Sequence, residues 1–497
     1  MLKTQWLTCL PVQLALTVGF VYLLSKFSFS YISESNIPLM SLVVVLLCIG
    51  LIGFVFYKNL FWVNSTFLER LVSLLLITSF LGSGLLAVPV GPISIFPFRL
   101  ILMLLVALTV IYIVNRGPLV LMNEIRVMPI ILFILSWLCI GLLSISWSIS
   151  WEDGIKEIIY LTTGILVVFY VTFLYKGEMK YVEFYYIWVL MTILLVGIGY
   201  INYLFQYHLP VSRINNVYDY QKSIPTAVFT NENDFASFLS ISIFFFVALI
   251  MNGKVPILKI IGLLGIPLIT YLILVTSSRA NLLAVMLGLL FWFFFILRNR
   301  QKMIVLYGAM ILFVLANLLF TDQLSKVYAL GFEEIHTLIE REETGNSVDI
   351  RENLLKNVAV FVGDTLGFGV GAGNAEYYMK NFQVYETFHN YNVHNWWAEI
   401  AVHYGVFIFI GYILLFIYLI YKLYRINRET RNRNYRMISE ALSCALVAFS
   451  LASISPNSFM ALNYNWVLIA FSIGFINYYF VQSREDQDEK YTESNKE

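Results

Sequence analysis

The sequence predicts an all-α membrane protein, a polytopic bundle of about 14 transmembrane helices with one large extracytoplasmic loop. Of the 497 residues, 59% are hydrophobic and only 13% are Asp, Glu, Lys or Arg. A soluble domain usually carries roughly 25% charged residues. The mean hydropathy is +0.77, and the net charge of +1 gives no global field that would attract nucleic acid. This composition excludes a cytosolic enzyme, a secreted domain and a disordered scaffold.

Fourteen segments are long and apolar enough to cross a bilayer, for which a helix needs about 20 residues. They lie near residues 6–25, 38–57, 69–89, 97–114, 129–148, 156–175, 184–206, 233–251, 257–275, 280–297, 303–320, 397–421, 437–454 and 461–480. We therefore predict four regions in chain order. These are a transmembrane bundle over 1–320, the large loop over 321–396, three further spans over 397–480 and a polar cytoplasmic tail over 481–497.

The distribution of Lys and Arg sets the predicted orientation, because these residues concentrate in cytoplasmic loops. With the amino terminus inside, every even-numbered gap between spans is basic, and the gaps on the other side are sparse in basic residues. The strongest signal is YKLYRINRETRNRNYR, residues 421–436. The pattern predicts a multi-pass protein of the cell membrane with both termini in the cytoplasm.

The loop at 321–396 is the longest hydrophilic piece of the chain, and the predicted topology places it outside. Its first part, Thr321 to Glu343, has apolar residues at helical spacing, which predicts an amphipathic helix lying over the bundle. Long ordered loops outside a compact bundle are more often functional than idle. We therefore expect the functional site on this side.

Arginines at the outer ends of spans are the first candidates, because charge near a membrane is costly unless it is paired or hydrated. Arg279 lies in LVTSSRANLL, a very short turn between two apolar spans, where its planar fork could grip phosphate oxygens. The alternative is an arginine that reaches for lipid headgroups. Arg213 lies in an outside loop, where a solvated charge is the commoner case. Arg99, at the start of the fourth span, is a weaker candidate.

Amides and histidines supply the remaining candidates. Asn231 and Asn233, in FTNENDFASFL, could bind sugar hydroxyls or could cap the helix that follows. His389 and His394, in FHNYNVHNWWAEI, could accept a proton near neutral pH, or could belong to an interfacial aromatic belt. His403, further along that span, is better explained as a packed or polar helix contact.

Several other sequence patterns are better explained by a structural role than by catalysis or ligand binding. The segment GFGVGAGN, Gly367 to Asn374, follows no strand and lacks the Lys-Ser/Thr ending of a nucleotide loop, so we expect a tight glycine turn that shapes the loop. The aromatic residues around it could stack on sugar rings or form a small core. No cluster has metal-ligand spacing, so we expect no metal and no other cofactor. Four cysteines lie in apolar stretches and are expected to be core residues: Cys9, Cys48, Cys139 and Cys444.

Four passages resemble the O-antigen ligase and polymerase family of bacterial membrane proteins. TNENDFASFL resembles that family's Asn-Pro-Asn-like motif, with Glu232 in place of Pro. VTSSRANLLAVMLG resembles its Ser-Arg motif. The stretch from Arg351 to Asn374 resembles an Arg followed by a Gly-x-Gly turn, and HNWWAEIAVHYG resembles a His-Asn motif that ends in Gly405. The family often has Glu two residues before that glycine, where this chain has His403, so the resemblance assigns no role there.

The resemblance implies a glycosyltransferase that works on the outer face without a metal. Its donor would be a glycan on undecaprenyl diphosphate, and its acceptor a sugar hydroxyl. On this basis His394 is the predicted base, with His389 as the substitute. Arg279 would hold the diphosphate with Arg213 as a second contact, and Arg351 would position the donor or anchor the loop. The predicted substrate-binding amides are Asn231, Asn233 and Asn395.

Three functions remain open at this stage. A polymerase would join lipid-linked repeat units into a surface polysaccharide, such as a teichuronic-acid-like or capsular polymer, and we favour this one. A ligase would transfer the finished chain to another acceptor. A flippase would translocate the lipid-linked oligosaccharide, but it should have two related halves, and none are visible. The expected partners are the lipid-linked donor, the glycan acceptor, membrane lipid and other assembly proteins, with no nucleic acid.

Overall fold

The helical bundle is confirmed over the part of the chain that can be described. The structure is a computed structural model that describes residues 66–84, 87–90, 93–116, 125–218, 221–319, 347–456 and 459–494. Within these ranges, nine helices are long and apolar enough to cross a membrane. The predicted count of fourteen is not tested, because the first two predicted spans and the amphipathic segment Thr321–Glu343 lie outside the described residues.

The first half of the described chain leads to the central helix of the bundle. Its elements are α1 Phe67–Leu81, strands β1 Val88–Val90 and β2 Ile93–Ile95, α2 Pro97–Arg116, α3 Met128–Ser144, α4 Trp151–Leu174, α5 Glu178–Phe205, a short 3-10 helix Arg213–Asn216 and α6 Glu232–Asn252.

The second half supplies the helices that surround the candidate residues. They are α7 Pro256–Val275, α8 Arg279–Phe291 with a π-helical turn Trp292–Ile296, α9 Asn299–Leu319, α10 Ser347–Asp364, α11 Ala375–Phe382, α12 Trp396–Glu429, α13 Arg433–Ala452 and α14 Asn463–Ser494.

Two predicted spans extend well past the end of their helix in the structure. The span predicted over 69–89 is the helix α1, which ends at Leu81 because Gly82 adopts a positive φ of 54°. The strands Val88–Val90 and Ile93–Ile95 then pair antiparallel, so the described chain is not purely helical. The span predicted over 129–148 is α3, which ends at Ser144. Apolar residues continue past both helix ends, and hydropathy alone therefore overestimates the length of these helices.

The helix α6 is the centre of the bundle. Its sequence is apolar on every face, which is typical of a helix enclosed by other helices, and nearly all of its residues are buried. It packs mainly against α13 and α7, with further contacts to α8 and α5. Since α6 begins at Glu232 and ends at Asn252, its ends define the two faces of the molecule.

The glycine-rich segment 367–373 forms a tight turn that is seated in a break of α12. Gly405 has φ 84° and ψ 175° inside that helix, a conformation that favours glycine. Val406 N donates to Gly367 O at 2.9 Å and Val370 N donates to Val402 O at 2.8 Å. A Cβ at Gly405 would lie only 2.4 Å from Gly367 O, so this close approach explains the glycine that ends the His-Asn motif.

Candidate functional site

His394 lies between the large loop and α12, in a constrained backbone conformation. Its φ of 51° is in the left-handed region, which costs energy for a residue with a Cβ and is often found at functional sites. A hydrogen bond from its backbone N to Asn392 Oδ1 at 2.9 Å holds the turn. Two residues later, Trp396 N donates to Ser453 O at 3.0 Å, which ties the start of α12 to the end of α13.

The two imidazole nitrogens of His394 have different environments. The ring is hydrogen-bonded to the backbone of Pro456, and proline has no N–H, so its carbonyl must accept this bond. Nδ1 is buried and has no hydrogen-bond partner among the described residues. We therefore assign the donated proton to Nε2, which leaves the lone pair of Nδ1 available for a proton.

Three physical causes lower the pKa of His394. Burial contributes most, followed by the positive charge of Arg351 and then that of Arg213, which outweigh the opposing hydrogen bond to Pro456. The imidazole is therefore biased toward its neutral form, which is the form that can act as a base. The charges of two predicted residues from separate segments, Arg351 and Arg213, therefore act on His394.

The two arginines differ in their local partners. Arg213, at the start of the 3-10 helix, is paired with Glu232 through both nitrogens of one edge, with Nε–Oε2 at 3.0 Å. Arg351, in α10, is half-buried, and the loss of solvent lowers its pKa. No ion pair within 4 Å joins Arg351 to a carboxylate whose side chain is described. A desolvated guanidinium of this kind favours an anionic ligand.

Two of the predicted substrate-binding amides are helix caps. Asn231 Oδ1 accepts from the backbone N of Asn233 at 2.8 Å and of Asp234 at 3.0 Å, at the start of α6. Asn395 Oδ1 accepts from Trp397 N and Ala398 N at 3.1 and 3.2 Å, at the start of α12. Capping, the alternative weighed for Asn231, accounts for both oxygens.

Asn233 joins the ends of three helices beside the predicted arginine. Its Oδ1 accepts from Ser278 Oγ and from Ser455 Oγ, each at 2.9 Å. Arg279 follows Ser278 directly and is exposed at the first turn of α8, while Pro456, the partner of His394, follows Ser455. The Asn233 oxygen therefore joins Ser278, which precedes Arg279, to Ser455, which precedes the backbone partner of His394.

His389 is placed differently from His394. It is exposed, and its Nδ1 lies 3.2 Å from the Tyr391 hydroxyl. No described contact joins it to the arginines or to Pro456. The structure therefore separates the two histidines that the sequence left as alternatives.

A second polar pair was missed by the sequence analysis. His403 Nδ1 lies 3.3 Å from Glu157 Oε1, and both side chains are largely buried. The Tyr404 hydroxyl lies 3.4 Å from the same oxygen. His403 was expected to make a polar helix contact, but Glu157 lies almost 250 positions earlier in the chain, and no local pattern indicates that it is the partner.

An apolar groove begins one helical turn after Arg279. It has a volume of about 540 Å³ and runs along α8 between α6 and α7. Its lining is almost entirely aliphatic: Ile243, Val247, Ile250, Met251, Ile266, Thr270, Ile273, Leu282, Val285, Met286, Leu289 and Trp292. Within the described ranges no group of three or more His, Cys, Asp or Glu side chains is arranged to hold a metal.

The sequence of this helical bundle matches a known family of membrane proteins. Residues 264–413 match the O-antigen ligase family, and the chain belongs to this family. The matched range contains Arg279, Arg351 and His394, while Arg213, Asn231 and Asn233 precede it.

A characterised relative narrows the biological role. The chain is 33% identical over 445 residues to the teichuronic acid biosynthesis protein TuaE of Bacillus subtilis (strain 168), a match that covers 88% of this chain and 90% of the relative. The family and this relative together support a role in polysaccharide biosynthesis at the membrane, carried out by a multi-pass protein.

Proposed function

We propose that the protein polymerises lipid-linked oligosaccharide repeat units into a cell-surface polysaccharide, on the outer face of the membrane. The observation that carries the proposal is the buried Nδ1 of His394, which has no hydrogen-bond partner among the described residues, on a ring whose pKa is lowered by burial and by the charges of Arg351 and Arg213. The similarity to a teichuronic acid biosynthesis protein favours a polymer of the teichuronic-acid type. The donor would be undecaprenyl diphosphate carrying the glycan.

The proposed reaction is a single displacement at the anomeric carbon of the donor. The acceptor hydroxyl transfers its proton to Nδ1 of His394 as its oxygen bonds to that carbon. The bond from the carbon to the lipid diphosphate breaks, and the diphosphate leaves with the electron pair. The growing negative charge would be stabilised by the guanidinium groups of Arg279 and Arg351, because preformed donors are effective at this task.

The groove along α8 fits the lipid part of the donor. A polyprenyl chain needs an apolar surface that is open to the bilayer, and the groove is aliphatic over nearly its whole lining. Because the groove starts at Leu282, one turn from Arg279, a chain lying in it would bring its diphosphate to that arginine. The two substrates would then meet in a fixed orientation, which can contribute several kcal/mol to catalysis.

The carriers that accumulate when the protein is deleted from its host distinguish the three candidate functions. We expect single repeat units on the carrier, exposed on the outer leaflet, together with loss of the polymer. Long chains that remain on the carrier would identify a ligase and overturn the polymerase. Single units confined to the inner leaflet would identify a flippase, and the leaflet can be resolved with a lectin or an oxidant that does not cross the membrane.

The pH dependence of the reaction gives a test of the site. We expect that Arg351→Gln raises the pKa of His394, because one of the charges that lower it is removed. A base is active only when it is unprotonated, so kcat/KM falls as the pH decreases through that pKa. The acidic limb should therefore move to higher pH in the variant. We would measure kcat/KM against pH with purified protein in proteoliposomes.

A control separates this electrostatic effect from general damage to the loop. Lys356→Gln, in the same helix, removes a charge that is paired with Glu352 at 3.1 Å and does not contribute to the shift of His394. It should leave the acidic limb unchanged. If Arg351→Gln lowers the rate equally at all pH values and the limb does not move, the proposed influence of Arg351 on His394 is wrong.

A further inference from the structure

A second basic site lies at the opposite face of the bundle from His394. A polar cavity of about 190 Å³ is lined by Arg298, Arg428 and Arg436, together with Glu440, Asn252 and other residues. At about 30 Å³ per water molecule, it has room for roughly six waters. Nothing in the proposed reaction uses this cavity.

The path of the helices separates the cavity from the candidate active site. The central helix α6 begins at Glu232, beside the site, and ends at Asn252, on the cavity wall. Its 21 residues span about 31 Å at 1.5 Å per residue, which is close to the thickness of the hydrocarbon core. α13 runs the other way, with Arg436 at the cavity and Ser453 near His394. The two sites therefore belong to different faces of the membrane.

The three guanidinium groups form no ion pair with a described carboxylate, although the charge of Glu440 in the cavity wall acts on Arg436. No ion pair within 4 Å joins Arg298, Arg428 or Arg436 to a carboxylate among the side chains that can be described. Arg436 Nη2 donates to Thr430 O at 3.0 Å, but its Nε is buried without a partner. An unpartnered donor in a pocket with three positive charges is a strong indication of an anionic ligand.

The single carboxylate of the cavity already has other partners. Glu440 Oε1 accepts from Trp292 Nε1 at 2.7 Å, and Glu440 Oε2 accepts from Asn252 Nδ2 at 2.8 Å. These bonds hold the Glu440 carboxylate against the Asn252 amide and the Trp292 indole, at the wall of the cavity. An anion entering the cavity would therefore meet the arginines with their donors available.

The apolar groove adjoins this cavity. Met251 lines both the cavity and the groove. Trp292 lines the groove with its ring and donates to Glu440 with its indole nitrogen. A lipid could therefore place a phosphate among the arginines and an acyl chain at the end of the groove near Met251 and Trp292, away from Arg279.

We propose that the cavity lined by Arg298, Arg428 and Arg436 is a binding site for a phosphate group. The apolar groove next to the cavity, which shares Met251 with it, favours an anionic lipid of that leaflet as the molecule that carries the phosphate. Basic pockets between transmembrane helices are known to bind such headgroups.

Lipid binding to the delipidated full-length protein tests the proposal. We expect phosphatidylglycerol to be retained in native mass spectrometry and to raise Tm, and diacylglycerol, which lacks the phosphate, to do neither. The double variant Arg298→Gln/Arg428→Gln should bind phosphatidylglycerol roughly 30-fold more weakly, at about fivefold per arginine. Both residues are exposed, so the variant should still elute as a monodisperse protein.

Arg431→Gln is the matched control, because Arg431 is an exposed arginine of the same basic segment that does not line the cavity. It should bind the lipid like the unmodified protein. If inorganic phosphate raises Tm equally well, and only with Arg298 and Arg428 present, the phosphate chemistry holds but the source is soluble. Equal loss in Arg431→Gln and the double variant, or no response to either probe, would overturn the site.

Discussion

Replacing His394 by alanine is expected to reduce polymer formation by roughly 10²–10⁴-fold, the usual contribution of a general base. The reason is that Nδ1 of His394 is a buried acceptor without a partner, on a ring that burial and two arginines keep neutral. His394→Gln should lose nearly as much activity. Glutamine can still donate a hydrogen bond toward Pro456, but it cannot accept the proton. Chain elongation by equal amounts of membrane-inserted variant would be measured in proteoliposomes.

His389→Ala provides the control for this prediction. His389 is an exposed histidine five residues earlier in the same loop, and its described contact is the Tyr391 hydroxyl. We expect its replacement to change the rate by less than about tenfold, well below the effect expected of a general base. If His389→Ala abolishes elongation while His394→Ala preserves it, the roles of the two histidines must be exchanged. If His394→Gln is nearly as active as the unmodified protein, the ring only positions the acceptor.

The transmembrane helices were predictable because their signal is local. A run of about 20 apolar residues can satisfy its backbone in a bilayer only as a helix, and nine predicted spans coincide with long apolar helices of the described chain. The errors are at ends such as Leu81, where Gly82 stops the helix although apolar residues continue. The family resemblance, carried by four short motifs, is confirmed by the match over residues 264–413.

The partners within the site were not predictable, because they join segments that are far apart in the chain. Ser455 and Pro456 carry no motif, yet they link Asn233 and His394 more than 150 positions apart. Asn231 and Asn395 could equally have been ligands or caps until the helix starts were known. Glu232 replaces a proline of the family motif, and the structure gives it a function as the partner of Arg213.

Gly405 shows how a motif can be recognised before its cause is known. Its distance from His394 was part of the resemblance, but a sequence does not indicate what needs the glycine. In the structure, the backbone of Gly367 packs into the break in α12. The turn that follows α10, the helix of Arg351, is thereby fixed to the helix that follows His394. The spacing between the two motif residues therefore reflects a tertiary contact.

Replacing Arg279 by glutamine is the second change with a large expected effect, a loss of roughly 10²–10³-fold in the rate of elongation. The departing diphosphate gathers negative charge in the transition state, and glutamine offers it no positive charge. Arg279→Lys should recover only part of the loss, because a lysine keeps the charge but not the planar fork that holds two oxygens. Single-turnover elongation of lipid-linked repeat units would separate the chemical step from binding.

Arg99→Gln is the matched control for Arg279, since Arg99 is also an arginine at the start of an apolar helix. Its guanidinium donates to Ser94 O at 2.8 Å and lies over the rings of Phe96 and Tyr160, so protein contacts already account for it. Its replacement should leave elongation unchanged. If both variants slow elongation equally, the effect comes from lost interfacial charge and Arg279 does not hold the diphosphate. If Arg279→Gln alone is impaired, with single repeat units accumulating on the outer leaflet, the step that fails is the transfer itself, because translocation has already taken place.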